Sequence, residues 1–237
     1  MLERLGGGLV LDVGCGEGLW SARLCAPGRA VLAVDDSQEA AASAKRQARG
    51  AYAVAQMDAL CLGLAPGSVD AVCSSHLIEH FLDPEPHVAE VARVTAGSGT
   101  AFFLTPNAPA DFENPFHLRL FGPHDLGALL GRHFAEVWVG GVDGDARVKA
   151  DFAARRARAA RLLRLDVFGV RHRIPRRWYV ALYASLLPLA YAAMAHRGQD
   201  DPTVADLARW SVTEEVDETT LVLFAVCRRP RRPEPRA

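Results

Sequence analysis

Two histidines and a glutamate stand within five residues at 76–80, HLIEH. On a continuous helix this H-x-x-E-H spacing puts His76 and His80 one turn apart with Glu79 beside them, the arrangement by which inverted zinc peptidases hold a metal and a base. A second group stands earlier, in L-D-V-G-C-G-E-G at 11–18, which supplies Asp12 and glycines at positions 14, 16 and 18. Glycine lets the backbone turn tightly and come within contact of a ligand, while the N–H groups of a following helix point at it. The dinucleotide fingerprint G-x-G-x-x-G would need glycine at 19, where the chain has Leu19, so a nicotinamide cofactor is disfavoured. Asp35 closes the next apolar run, about twenty residues on, where a carboxylate can accept hydrogen bonds from both hydroxyls of a ribose.

The elements that must position these groups alternate between strand and helix, which predicts an α/β fold around a parallel sheet. Strands are expected at 9–14, 30–36, 51–58, 68–76, 99–107, 135–141 and 219–229. Helices are expected at 18–26, at 37–49 with Ser37 as N-cap, at 86–95 and at 124–134. In this frame HLIEH begins at the end of the fourth strand and runs into D-P-E-P after Leu82, which breaks a helix. A zinc peptidase needs a long helix carrying both histidines and a third ligand from another helix, so a zinc hydrolase through His76, Glu79 and His80 is kept only as an alternative.

The segments VLDVGCGEG, AVDDS, QMDAL, VDAVCSSHLIEHF and GTAFFLTPN together resemble the class I S-adenosylmethionine-dependent methyltransferases, in particular the group that includes the ubiquinone and menaquinone methyltransferases. The resemblance runs from about Leu9 to Val139 and resumes at the last strand. It implies a Rossmann-like, doubly wound sheet of seven strands, the last antiparallel and inserted between the fifth and sixth. It also implies S-adenosylmethionine as cofactor, with Gly14, Cys15, Gly16, Gly18 and Asp12 around its methionine portion. By the same resemblance Asp35 and Asp36 meet the ribose, Asp58 and Ala59 the adenine, and Ser74 and Ser75 the amino-acid moiety. Related quinone methyltransferases carry E-x-x-E-H where this chain has HLIEH, a pattern associated with a divalent cation. His76 replaces the first glutamate, hard cations prefer oxygen ligands, and no metal is assigned.

Methyl transfer from a sulfonium to a hydroxyl needs alignment and removal of one proton. The histidines His80, His117 and His76 are the candidate bases, with His124 nearby in NPFHLRLFGPHDL at 114–126. The expected activity is therefore transfer of a methyl group to a small-molecule or lipid-like acceptor, most simply at oxygen. A cofactor-binding partner subunit without turnover is the alternative from another class.

Composition narrows the field further. The chain has 237 residues, 50% hydrophobic and 23% charged, with a formal net charge of −1, which fits one globular core and argues against a nucleic-acid binder. No N-P-P-Y-type motif follows the fourth strand, so a flipped base is not expected as substrate, although arginines keep RNA open. The five scattered cysteines form no C-x-x-C pair and suit a reducing cytoplasm. MLERLGGG has no apolar core of a signal peptide.

A methyltransferase domain is expected over 1–146 and 200–229, interrupted by a helical insertion at 147–199 and followed by a flexible tail at 230–237. The insertion is expected to cover the acceptor pocket, because the sequence reaches its first strand without the N-terminal helices that often lid this fold. Residues 147–177 hold eleven Lys or Arg against two Asp, followed by the apolar run YVALYASLLPLAYAAMA at 179–195. That run is short for a membrane span, but its basic flanks suit either a membrane interface and a lipid-linked acceptor, or packing on the sheet or on a second copy in a homodimer.

Overall fold

The computed structural model describes residues 5–111, 116–163 and 206–232. Strand β1 (Gly8–Val13) is buried on both faces at its C-terminal end, as a near-continuous apolar run must be at the centre of a parallel sheet. Around it stand β2 (Arg29–Asp35), β3 (Ala53–Gln56), β4 (Val69–Ser75), β5 (Thr95–Pro106), β6 (Phe134–Gly144), β7 (Trp210–Thr213) and β8 (Val222–Pro230). The sheet order is β3-β2-β1-β4-β5-β8-β6-β7. Parallel pairing runs from β3 to β5, and β8 is antiparallel to both β5 and β6, with Phe103 and Val139 each opposite Ala225.

Alternation along each strand divides the core between two faces. On one, Leu11, Val13, Val72, Phe103 and Ala225 pack with Val88 and Val91 of α3 (Glu85–Val94) and Leu126 and Leu130 of α4 (Pro123–Gly131). On the other, Val10, Ala33, Cys73 and Phe102 pack with Leu24 of α1 (Ser21–Leu24), Ala48 of α2 (Gln38–Ala48) and Tyr52. The Ser37 hydroxyl accepts from Ala40 N at 3.2 Å, the expected N-cap, worth about 1 kcal/mol.

The fold departs from expectation in two places. The sheet has eight strands, because WSVT at 210–213 adds an edge strand antiparallel to β6. Four residues inside an acidic stretch carry too little hydrophobic pattern to announce a strand. Helix α1 covers only 21–24, since Gly18 turns the chain and Pro27 stops it. HLIEH forms a three-residue 3-10 turn, Ile78–His80, after His76 adopts φ of 53°, so its two histidines do not share a helix face.

The expected insertion opens as α5 (Ala146–Leu163), whose first turn is tied down by Asp145: its Oδ1 accepts from Arg147 N and Val148 N, each at 3.0 Å. Val148 is buried against Ala110 and Leu221, with Phe152 and Trp210 edge to face beside it at 6.1 Å. The rest of the insertion, with the apolar run 179–195, and the tail beyond 232 lie outside the described residues. No helix among the described residues is long and apolar enough to cross a membrane.

Candidate active site at the strand ends

Beyond Val13 the chain turns away from the sheet through Gly14, Gly16 and Gly18, with φ of 73°, 53° and 82°. Gly14 N and Cys15 N both donate to Val34 O, at 2.8 and 3.0 Å, and Gly18 N donates to Cys15 O at 2.9 Å. A side chain at Gly18 would collide with the Tyr52 hydroxyl, which itself donates to Gly18 O at 3.0 Å. At Gly16 no described atom lies within 4 Å of where a Cβ would stand, so the backbone there presents an open face to a ligand.

Two carboxylates flank this loop. Asp35 accepts from Gly16 N at 2.8 Å through Oδ2 and from Ser37 N at 3.0 Å through Oδ1, which still leaves acceptor capacity for a ligand hydroxyl. Asp12 is buried and accepts from the Ser21 hydroxyl at 2.6 Å. Burial pushes the Asp12 carboxyl above its usual range; the Ser21 hydrogen bond pulls it back and the Asp35 charge adds to the rise. A cationic ligand beside the loop would relieve that strain. The open glycine face and these two acids therefore fit a cationic nucleoside. Cys15, half-buried in the loop, has its thiol pushed up to about 12 by burial and by Asp12 and Asp35, which makes it no nucleophile.

The turn at Asp58 and Ala59 is held by a side chain that sequence reasoning missed. Asp58 Oδ1 accepts from Leu60 N at 2.8 Å, closing a tight turn around Ala59. His87 Nδ1 donates to Ala59 O at 3.1 Å, and its Nε2 lies 2.9 Å from the Ser74 hydroxyl, which donates to it. Ser74 is thus turned into the core and fully buried, while Ser75 is half-buried at the strand end. Asp36 contributes its carbonyl to the Gln56 amide at 2.7 Å. In sequence His87 sits on the apolar face of α3, where a histidine carries no signal of its own.

Burial lowers the His87 imidazole from 6.5 to about 4, although its bond to Ala59 opposes the drop. A histidine held neutral in the fold stabilises it fully above its unfolded value and loses that contribution as pH falls from about 6.5 towards 4, by about 3 kcal/mol in all. Urea unfolding across that window should show this loss in the parent and a flatter profile in His87→Gln. Parallel profiles for the two proteins would sink the assignment.

The histidines of the sequence analysis separate into one cluster and one outlier. His124 is 95% exposed at the start of α4 and pairs with Asp125. His80 and His117 meet edge to face with ring centroids 5.2 Å apart. His80 Nδ1 donates to Phe116 O at 3.0 Å, and His117 Nδ1 to Asp111 Oδ1 at 2.8 Å. Both acceptors lack protons to give, so each neutral ring keeps its lone pair on Nε2. The segment carrying His117 is fixed to the 3-10 turn, since Leu118 N and Arg119 N both donate to Glu79 O, at 2.8 and 3.1 Å.

Glu79 lies beneath the two rings, 1% exposed, with Oε2 accepting from the Thr105 hydroxyl at 3.0 Å. His76 Nδ1 stands 3.3 Å from Oε1 in an ion-pair contact, and Oε1 has no hydrogen-bond donor among the described residues. Burial alone would raise the Glu79 carboxyl, but His76, the backbone and Thr105 together hold it below the usual range. One ligand atom from each of Glu79, His80 and His117 lies within 4.8 Å of the others. This set does not fit magnesium, which demands a shell of oxygens that one carboxylate between imidazoles does not supply. Asp111 and Thr105 are the further residues missed from sequence. Neither has a spacing that signals it, because both reach the cluster through the β5 end.

Residues 11–103 match the family model described as a methyltransferase domain. A Mycobacterium tuberculosis protein named probable S-adenosylmethionine-dependent methyltransferase is 37% identical over 127 residues, 51% of this chain and 46% of that protein. The ubiquinone biosynthesis O-methyltransferase of Methylococcus capsulatus is 30% identical over 153 residues, 59% of this chain and 65% of the relative. The chain thus spans about half the length of the first relative, at 46%. Among solved structures, a SAM-dependent methyltransferase from Thermotoga maritima superposes with a TM-score of 0.58 at 15% identity, over 95% of this chain and 84% of that one. The cyclase SpnF does so at 0.57 and 18%, over 96% and 77%. These two share the fold, and the second shows by its name that the fold alone does not set the reaction.

Proposed function

We propose that this chain, whose domain at 11–103 belongs to the class I S-adenosylmethionine-dependent methyltransferases, transfers a methyl group to a hydroxyl oxygen of a small or lipid-like acceptor. S-adenosylmethionine is the cofactor, and it supplies an electrophilic methyl carbon on a sulfonium. The backbone at Gly14, Cys15, Gly16 and Gly18 takes its methionine portion with Asp12 nearby, Asp35 and Asp36 take the ribose, and Asp58 and Ala59 the adenine. Ser75 lines the amino-acid end, and Ser74 acts from within the core through His87.

The observation that carries the oxygen acceptor is the His117–Asp111 pair, 2.8 Å long, which stands against His80 beside the strand ends. A hydroxyl is a weak nucleophile until its proton leaves, and an imidazole whose tautomer is fixed by a carboxylate is suited to accept that proton. His80, edge to face with His117, and His76, in contact with Glu79, orient the acceptor in this reading. The ubiquinone O-methyltransferases among the relatives support an oxygen target of this kind. Support for a lipid-linked acceptor, membrane-peripheral placement or a homodimer comes from the run 179–195, outside the described residues. The proposal is therefore tested with small acceptors.

The test is incubation of the full chain with S-adenosylmethionine and a panel of phenols, catechols and amines, with products read by mass spectrometry. Methyl ethers from the hydroxylic members are expected. Tight cofactor binding with no ether from any of them would leave the non-catalytic subunit as the better reading. Methylation confined to the amines would move the target to nitrogen.

A further inference from the structure

The buried His87 ring joins the turn after β3 to the end of β4, two places on separate strands. We infer that His87 is a positioning residue that sets the base selectivity of the cofactor pocket. It fixes one peptide unit, and through it the Asp58 carboxylate, so that adenine is accepted and hypoxanthine is refused. The inference deepens the reading given above and rests on Asp58 being the partner of the base.

The chain after β3 folds into a four-residue turn, closed by Cys61 N donating to Asp58 O at 3.0 Å. Its central peptide joins Ala59 to Leu60, and a trans peptide points its C=O and N–H in opposite directions. Both ends of that unit are held. Ala59 O accepts from His87 Nδ1 at 3.1 Å, and Leu60 N donates to Asp58 Oδ1 at 2.8 Å. His87 therefore fixes, through one rigid plane, which way the Asp58 carboxylate faces. With Oδ1 committed to Leu60, Oδ2 is left as an acceptor on an exposed residue beside the strand ends. An acceptor-only oxygen takes the amino group that adenine carries and repels the carbonyl oxygen that hypoxanthine has in its place.

The ring is held against turning away. It is 0% exposed and lies between Phe81, with centroids 5.2 Å apart and planes tilted by 34°, and Phe103, edge to face at 6.1 Å. Its hydrogen must sit on Nδ1, because Ala59 O can only accept, and Nε2 then accepts from the Ser74 hydroxyl at 2.9 Å. A chain of contacts thus runs from β4 through α3 to the turn after β3. A side chain of similar bulk without a donor would leave Ala59 O unpaired, and unpaired carbonyls inside a protein turn towards water where they can. The Leu60 end of the plane would turn with it and release Asp58.

The test compares the calorimetric affinities of the full chain for S-adenosylhomocysteine and S-inosylhomocysteine, in which oxygen replaces the amino group of the base. The parent should prefer the adenosyl form by about 10–100-fold, the worth of a hydrogen bond to a charged group. His87→Leu should bring the two affinities to within about threefold of each other while still binding both, since the glycine loop and Asp35 are untouched. His87→Asn, whose amide nitrogen reaches the place of Nδ1, should restore most of the preference. A His87 that serves only packing would weaken both ligands alike, so a parent-like ratio in His87→Leu overturns the inference. A ratio in His87→Asn no higher than in His87→Leu overturns it too. Asp58→Asn separates the inference from the reading beneath it. With its oxygen kept by Leu60 N, the amide offers a donor to the base and should reverse the preference. A preference unchanged in Asp58→Asn removes Asp58 from the base and defeats the site reading, whereas one reversed there but unchanged in His87→Leu defeats the role of His87 alone. Should His87→Leu not fold, nitrogen NMR of the parent labelled at histidine decides. A His87 ring protonated at Nδ1, with a resonance that moves when S-adenosylhomocysteine binds, is expected; protonation at Nε2, or a resonance indifferent to the ligand, overturns the inference.

Discussion

Asp35→Ala is expected to abolish measurable binding of S-adenosylmethionine and S-adenosylhomocysteine in calorimetric titration, a loss of at least about a hundredfold. The carboxylate has two tasks, and the substitution removes both. It holds the glycine loop by accepting from Gly16 N at 2.8 Å, and it holds the start of α2 by accepting from Ser37 N at 3.0 Å. In the proposed cofactor site it is also the group that accepts the ribose hydroxyls. Hydrogen bonds to a charged partner are worth about 1.5–3 kcal/mol each, and every 1.4 kcal/mol is tenfold in affinity, so two lost bonds exceed a factor of about one hundred. Asp35→Asn keeps the shape but offers the ligand one acceptor oxygen instead of two, and should fall between the extremes. NAD should bind neither protein. Affinity for S-adenosylmethionine within threefold of the parent in Asp35→Ala would remove Asp35 from the cofactor site and reopen where the loop directs its ligand.

The same residue shows why much of this molecule could be read from sequence. Asp35 and the glycines belong to one strand-loop-strand unit, where every relation is local and the residue types have few other uses. Ser37 capping α2 is legible for the same reason. The order of the sheet followed only through family resemblance, since nothing in the spacing of β8 says that it lies between β5 and β6. β7 escaped because its burial comes from Trp210 meeting Phe152 of α5, a contact between segments about sixty residues apart. The candidate site divides similarly. His80 and His117 were legible as titratable groups near the strand ends, but their contact depends on Leu118 and Arg119 bonding back to Glu79 O. Asp111 and His87 were invisible because their partners are fixed by tertiary structure. HLIEH matches a helical metal motif in spacing only, since that spacing presumes a helix that His76, in the left-handed region, does not begin.

His117→Ala is expected to lower kcat on a phenolic acceptor by about 10²–10⁴, the range that a positioned general base contributes. S-adenosylmethionine affinity should remain within twofold, because His117 sits on the segment after β5, whereas the residues proposed to hold the cofactor lie at the C-terminal ends of β1, β2 and β4 and in the loops after β1, β2 and β3. Asp111→Asn should give a smaller loss, about tenfold to a hundredfold. The amide can turn its NH₂ towards Nδ1 and favour the tautomer with the lone pair on the wrong nitrogen. A structural role for His117 would also reduce activity, so the decisive readout is how the loss varies with acceptor acidity. An acceptor that already gives up its proton readily gains little from a base, so the deficit of His117→Ala should shrink steadily from simple phenols to strongly acidic nitro-substituted ones. Added imidazole should restore part of the rate with the least acidic acceptors. A deficit that is constant across the series and indifferent to imidazole would mean that His117 only holds the loop against Glu79. Proton removal would then pass to His80 as the remaining imidazole with a fixed tautomer, its Nδ1 bound to Phe116 O at 3.0 Å.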